Sequence, residues 1–433
     1  MLGGGNFLVQ NKVLPGSYIN FVAATKATAT LSDRGTVAMA IDMDWGADGE
    51  VVTVESADFQ KDSLKIFGYD YTSDKLKGLR DLFLNAKTAY IYRLNSGTKA
   101  SNTYAEAKYS GIRGNDLKIV IQKNVDDENE LDVMTYLDTV LVDAQTVPSA
   151  TELVQNDYVN FKMDATLEET AGINLTGGTN GEVTGTSHQA FLNKIESYSF
   201  NTLGCASGEE TIKALYVAFT KRMRDEVGAK FQTVIHNYPA DYEGVINVKN
   251  VVADEEAVGT ELVYFTTGTE ASCAVNKSNT NKTYNGEYKV KADYKQSELE
   301  KALLAGELVF HKVGDVVKIL DDVNSLVSVT SEKGEDFKSN QVIRVLDQVG
   351  NDIANTFNTK YLGIVQNTAA GRIAFWNDLV TYCKELQKLS AIENFNSEDI
   401  VAGAGNDKKS VLVTMNITPA CAMAKLYMTV IVN

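Results

Sequence analysis

Leu175-Thr176-Gly177-Gly178-Thr179-Asn180-Gly181 divides this chain into two unlike parts. Its glycines give it the composition of a turn between domains. On its N-terminal side stand short β-rich runs between polar turns: Leu117-Lys118-Ile119-Val120-Ile121-Gln122, Leu131-Asp132-Val133-Met134-Thr135-Tyr136 and Tyr158-Val159-Asn160-Phe161-Lys162-Met163. No helical pattern separates the first two, so 97–181 reads as a small all-β insertion. On the C-terminal side helix and strand alternate. Residues 187–197 read as a helix, and 209–227 as a stronger one. There Ile212, Leu215, Tyr216, Phe219, Met223 and Val227 form one apolar stripe. Ser207 is placed to cap this helix and Gly228 to stop it. Phe231-Gln232-Thr233-Val234-Ile235-His236 follows as a strand, and a second helix–strand pair is expected at 260–274 and 288–292. The reading is an α/β layer with helices covering a sheet.

The body resumes upstream of the insertion. Thr36-Val37-Ala38-Met39-Ala40-Ile41 reads as a buried strand, 74–86 as a helix carrying Leu76, Leu79, Leu82 and Phe83, and 89–94 as a strand. Downstream, 340–357 carries Val342, Ile343, Leu346, Val349, Ile353 and Phe357 on one helical stripe. A second helix, 371–389, carries Ile373, Trp376, Leu379, Val380, Cys383 and Leu386. Strands at 411–417 and 424–432 close the chain. The expected division is therefore a body from 24–96 and 182–337, the insertion at 97–181, and a C-terminal helical/β domain from 338 to 433.

Both ends read as extended segments set off by proline, which tolerates the entrance to a strand but not its middle. Pro15 precedes Ser17-Tyr18-Ile19-Asn20-Phe21-Val22, and Pro419 precedes the final run. In that run Leu426, Met428, Val430 and Val432 face one way while Tyr427, Thr429 and Ile431 face the other. A strand apolar on both faces needs cover on both, whereas chain ends are ordinarily polar. Something must cover it.

Composition bounds the class. At 433 residues the chain is too long for one core. With 44% apolar and 23% charged residues it has a globular balance. No apolar run reaches the roughly 20 residues of a membrane helix, and the N-terminus lacks an export-signal pattern, so synthesis in a cytoplasm and no membrane insertion are expected. Without export, the Asn-x-Ser/Thr sequences at Asn174, Asn276, Asn281 and Asn416 carry no meaning. Cys205, Cys273, Cys383 and Cys421 lack metal or redox spacing and read as four buried free thiols. The net charge of −16 argues against direct binding of nucleic acid. Its distribution is uneven: 99–182 holds six basic against fifteen acidic residues, while 337–433 holds nine against eight. A near-neutral end on an acidic body suits a terminus buried against partners.

Catalytic patterns are missing. His188, His236 and His311 have no ligand-type neighbours at useful spacing and read as structural. Gly204-Cys205-Ala206-Ser207-Gly208 displaces its serine from a nucleophile elbow, and no phosphate loop is present. The carboxylates of Asp42-Met43-Asp44-Trp45-Gly46-Ala47-Asp48-Gly49-Glu50 miss calcium-loop spacing and read as a solvated loop. No cofactor, metal or catalytic residue is assigned, and the chain reads as a structural subunit, not an enzyme.

The run Gly4-Gly5-Asn6-Phe7-Leu8-Val9-Gln10-Asn11-Lys12-Val13-Leu14-Pro15-Gly16-Ser17-Tyr18-Ile19-Asn20-Phe21 resembles the opening of contractile tail sheath proteins, in the branch found in prophages of Gram-positive bacteria. Residues 36–46, 175–181 and 417–432 are similar to the next strand, the close of the inserted β domain and the C-terminal strand of that family. The resemblance implies an α/β, multidomain α+β body that stacks as hexameric rings around an inner tail tube and contracts to drive the tube through a cell envelope. It implies termini that exchange strands with neighbouring subunits: Pro15, Gly16, Tyr18, Ile19, Asn20 and Phe21 in an N-terminal arm (1–23), and Leu426, Tyr427, Met428, Val430 and Val432 in a C-terminal one. The expected partners are further sheath subunits, the tube, and baseplate and tail terminator proteins. Arg372, Lys384 and Lys388 are candidates for the tube contact. The setting implied is a virion tail or a released tailocin-like particle assembled in the host cytoplasm. An α/β enzyme, a surface-exposed β-rich structural protein and an inner tube protein stay open as alternatives. A catalytic pocket, an export route or a much shorter chain would favour each in turn.

Overall fold

In the computed structural model the described residues are 31–254 and 259–432. Seven strands form the central sheet, in the order Glu307–Leu308, Val245–Val248, Gln232–His236, Thr202–Cys205, Thr36–Ile41, Thr88–Arg93 and Val51–Glu55. Neighbours are parallel except at Val51–Glu55, which runs antiparallel to Thr88–Arg93. Thr36–Ile41 lies in its interior, next to the central strand Thr202–Cys205, and parallel strands covered on both faces read as continuous apolar runs. Val37, Met39 and Ile41 enter one core with helices Ser56–Phe67, Lys77–Phe83 and Leu262–Ser272. Ala38 and Ala40 enter the other with helices Gly185–Ile195 and Glu210–Lys221. Leu262–Ser272 is buried almost all round. At Gly268 a Cβ would stand 2.2 Å from the Leu82 carbonyl oxygen, so only glycine lets the two helices meet this closely.

The long helix keeps its stripe as far as Met223 but changes pitch, and Val227, expected on the stripe, is 55% exposed. Glu210–Lys221 is α-helical, and Arg222–Val227 continues it as a π-turn before Gly228, at φ +91°, donates its N–H to the Met223 carbonyl. The cap at Ser207 is shifted: its hydroxyl accepts from Glu209 N–H, one position before the helix. The strand expected at 288–292 is absent. Only Val290 bridges Val252, because the sheet position beside Val245–Val248 is taken by Glu307–Leu308.

Residues 97–180 build a separate antiparallel sheet, ordered Thr170–Asn174, Leu117–Lys123, Leu131–Leu137 and Val140–Val147. Ala105–Ala107 pairs with Val159–Phe161 to complete a β-sandwich-like core that also takes in Trp45 from the body. The two ends of the segment meet where Gly97–Thr98 pairs with Thr179–Asn180. At Gly97 a Cβ would fall 1.8 Å from the Thr179 carbonyl oxygen.

The C-terminal region packs helices Asn340–Thr356 and Ala369–Lys388 with a hairpin, Ile400–Ala404 and Val411–Met415. A short pair, Ile392–Glu393 with Thr418–Pro419, lies beside it. Three expectations change here. Ile373 is 58% exposed: it shares a side with Val380 but lies two turns earlier, beyond the covered part of the helix. Cys421 is exposed while Cys205, Cys273 and Cys383 are buried, because Cys421 lies where the chain leaves the body. Residues 424–432 form no strand within the chain, since no described strand lies alongside to accept their backbone bonds.

Candidate assembly interface

Two incomplete elements face solvent. The first is the hairpin. Its inner face joins the core around Phe375, Leu379 and Cys383 through Ile400, Val411, Val413 and Met415. Trp376 Nε1 donates to the Ile400 carbonyl at 2.7 Å and locks the first strand onto the helix. Among the described residues the ladder stops at two strands. On its outer face Val401 and Leu412 are each 64% exposed. A lone two-stranded hairpin is marginal in water, and open edges are templates for another strand.

The second is the C-terminal segment. Leu426, Tyr427, Met428, Val430 and Val432 are 70–90% exposed, and Ile431 shares that exposure. From Met423 to Val432 the segment makes no hydrogen bond to another described residue. Seven large apolar side chains standing in water are an unsatisfied surface, and exposed apolar patches of this kind mark interaction sites. Pro15, Gly16, Tyr18, Ile19, Asn20 and Phe21 lie outside the described residues.

The three cations expected at one contact are not brought together. Arg372 is half-buried and donates from Nη1 to Asn367 Oδ1 at 2.8 Å. Lys384 and Lys388 are exposed, and at 1.5 Å per residue Lys384 stands about 18 Å further along the helix axis. Arg372 instead shares a cleft of about 470 Å³ with Lys408 and Lys409. Asn367 joins the two parts, donating to the carbonyls of Lys408 and Ser410 at 3.1 and 2.9 Å. The hairpin strand Ile400–Ala404 and the Lys408–Lys409 turn were not read from the sequence. Their one signal is the turn Gly405-Asn406-Asp407, where Asp407 Oδ1 accepts from the N–H groups of Lys409 and Ser410.

The C-terminal region is tied to the body by buried charges. Arg344 donates to Glu270 at 2.5 Å and to Asp322 at 3.2 Å, all three side chains being 1% exposed. Burial, reinforced by the Asp322 charge, pushes the Glu270 carboxyl up to about 8. Burial also acts against the charge on Asp322. Arg344 and donors from Asn279 and Asn340 outweigh it and hold that carboxyl below its ordinary range.

Two of the groups weighed for chemistry are engaged in contacts within the chain. His188 Nδ1 lies 3.0 Å from the Tyr216 hydroxyl, and burial lowers the imidazole to about 4. In the acidic loop Asp44 accepts from Tyr69 and Asn180, and Asp48 from Arg93 and Ser110. These carboxylates join the body to the inserted sheet, so the loop is not merely solvated. No cluster of three or more His, Cys, Asp or Glu fit to hold a metal occurs among the described residues. No described helix is long and apolar enough to cross a membrane.

Four known domain families match successive parts of the chain. Residues 181–325 match the phage tail sheath protein central domain, 332–433 the phage tail sheath C-terminal domain and 95–180 the phage tail sheath protein beta-sandwich domain. Residues 34–94 match the tail sheath protein Gp18 domain III N-terminal region. Over 100% of both chains the sequence is 34% identical to the phage-like element PBSX protein XkdK of Bacillus subtilis (strain 168). The fold is similar to the sheath tail protein from Desulfitobacterium hafniense, with 36% identity and a TM-score of 0.83 over 93% of this chain and 96% of that one. A more distant likeness, of fold alone, is to the contracted helical sheath of the anti-feeding prophage, with 13% identity and a TM-score of 0.54 over 96% of this chain and 99% of that one.

Proposed function

Because the chain belongs to the phage tail sheath protein family, we propose that it polymerises by strand exchange into stacked hexameric rings around an inner tail tube and contracts to drive that tube through a cell envelope. The family is structural and not catalytic. The observation that carries the reading is the pairing of two deficits: an unpartnered apolar segment, 423–432, and a two-stranded hairpin with open edges. Among the described residues no hydrogen bond joins them within one subunit. Between subunits the segment supplies the strand that the hairpin lacks.

Strand addition gives affinity through main-chain bonds and register through alternate side chains. At roughly 0.5–1.5 kcal/mol net per bond, several bonds plus the burial of Leu426, Met428 and Val430 make each arm a strong link. Such an arm tolerates rotation of the bodies it joins, so contraction is a change between two packings of rigid bodies.

In this reading 1–23 is a second arm, 24–96 with 182–337 the body, and 97–181 an outward-facing insertion whose acidity suits exposure. Residues 338–433 face the tube, with Arg372, Lys384 and Lys388 as contact candidates. Baseplate and tail terminator proteins cap the polymer, which assembles in the host cytoplasm and works as a virion tail or a free tail-like particle. Negative-stain microscopy of purified protein tests the reading: tubes or rings are expected, and a protein that stays monomeric at concentrations where related sheaths polymerise refutes it.

A further inference from the structure

We propose that the buried side-chain amide of Gln341 is the clamp that sets where the C-terminal arm leaves the body, a role that rests on the strand-exchange reading. Gln341 lies in the first turn of helix Asn340–Thr356 and is 3% exposed. Its Nε2 donates to the Ala420 carbonyl at 3.1 Å, and its Oε1 accepts from the Ala422 N–H at 2.9 Å. A carbonyl at one residue and an N–H two residues later are the groups that one residue of a parallel neighbouring strand engages. The glutamine amide, with a donor and an acceptor on one planar group, takes the place of that residue.

The clamp completes a short row of attachments. Thr418 and Pro419 pair with Glu393 and Ile392, and Ala420 N–H donates to the Ala391 carbonyl at 3.0 Å. The Gln341 bond to Ala422 is the last of them. Past it, the next ten residues make no hydrogen bond to another described residue. The pivot therefore falls between Ala422 and Met423, and it depends on one side chain of the helix rather than on a ladder. An arm pivoting there starts from a fixed point on the same helix whose Arg344 and Asp347 are tied to the body. Loss of the amide moves the pivot back toward Ala420 and lengthens the free segment by two residues. That degrades the register with which the arm enters a neighbour, because a one-residue slip turns every side chain of a strand to the other face.

The test uses the full chain. Cys421 is the one exposed cysteine, so a nitroxide attached there reports motion beside the clamp. Gln341→Met keeps the length of the side chain and removes both bonds. Below the concentration of assembly, its label at residue 421 should show faster motion than in wild type, with the same circular dichroism. At assembly concentration, tubes should be fewer or irregular in diameter. An immobile label in Gln341→Met overturns the clamp; a mobile label with normal tubes overturns its role in assembly. A measurement on the unmutated chain stands whether or not the variant folds: Ala422 N–H should exchange about tenfold more slowly than the amides of 424–429, and equal rates overturn the proposal. Failure of strand exchange itself would show separately, as normal tubes from a chain lacking 424–432.

Discussion

Arg224 grips Asp347 through two bonds, Nη1 to Oδ2 at 2.6 Å and Nη2 to Oδ1 at 2.8 Å, with 5% and 9% of the side chains exposed. The arginine stands on the π-turn that ends the long body helix, and the aspartate on helix Asn340–Thr356. Burial works against the guanidinium charge, yet Asp347 outweighs it and leaves the group above its ordinary range. The pair fastens the helix that bears Gln341 to the central sheet.

Asp347→Ala leaves a buried, unpaired guanidinium, which costs about 3–5 kcal/mol. Urea unfolding of the variant should show that loss. Arg224→Met combined with Asp347→Leu should lose less than Asp347→Ala alone, because no charge is then stranded. A double variant as unstable as the single one would show that packing, not charge, governs the site.

Glu270 makes stability depend on pH. Its carboxyl is raised from 4.5 to about 8, so between those values the folded chain holds a proton that the unfolded chain has released. Stability must then fall as pH rises through this window, by about 1.4 kcal/mol for each pH unit crossed. The opposing groups are Arg344 and Asp322, with Cys273 and Arg34 close by. Glu270→Gln stays neutral throughout. Its melting temperature relative to wild type should therefore climb from pH 5 to pH 9, and a relative decline contradicts the assignment.

Removal of 424–432 should leave the circular dichroism spectrum unchanged and abolish tubes, since those residues add nothing to the chain's own core. Val430→Pro is a gentler form of the same test, deleting one donor and disfavouring a continued strand. Deletion of 1–23 should act alike. A truncated chain that unfolds as a monomer would assign the segment to its own subunit.

Joining 96 to 181 in place of the inserted sheet should preserve tubes if the insertion faces outward. The two ends already meet at Gly97–Thr98 and Thr179–Asn180. Trp45 would lose its edge contact with Tyr109, at 5.2 Å, and its stacking on Tyr158. Its fluorescence should shift to the red, with Trp376 as the only other tryptophan. Loss of tubes from a folded excision variant would place the insertion at a subunit contact.

Reversing Arg372 and Lys408 together should weaken tube binding more than reversing Lys384 and Lys388, because only the first two line one cleft. Co-sedimentation of sheath with tube at rising salt measures this. Equal effects would return the contact to the exposed helix face.

Much of this was legible in the chain. The stripe from Ile212 to Met223 and the apolar run Thr36–Ile41 announce a helix and a strand because local periodicity is set by backbone geometry. The exposed final segment was legible too, since Leu426, Met428 and Val430 alternate with Tyr427 and Ile431 at an end that should be polar. The hairpin strand Ile400–Ala404 was not: Ala402, Gly403 and Ala404 carry little apolar signal, and the strand exists through its register with Val411–Met415. The strand expected at 288–292 failed for the opposite reason, because a fitting pattern found its edge position occupied by Glu307–Leu308.

The sequence by itself determined the α/β class, the β insertion closed by a glycine-rich turn and an apolar final segment in want of cover, because these rest on pattern and composition within short windows. Only the tertiary structure decided which strands lie side by side, Thr36–Ile41 between Thr88–Arg93 and Thr202–Cys205, and that Arg344, Glu270 and Asp322 share one buried site. It also set Gln341 against Ala420 and Ala422. Charged and amide side chains read as solvent-facing in any sequence, and they become buried partners only where the fold brings residues far apart in the chain within hydrogen-bond reach.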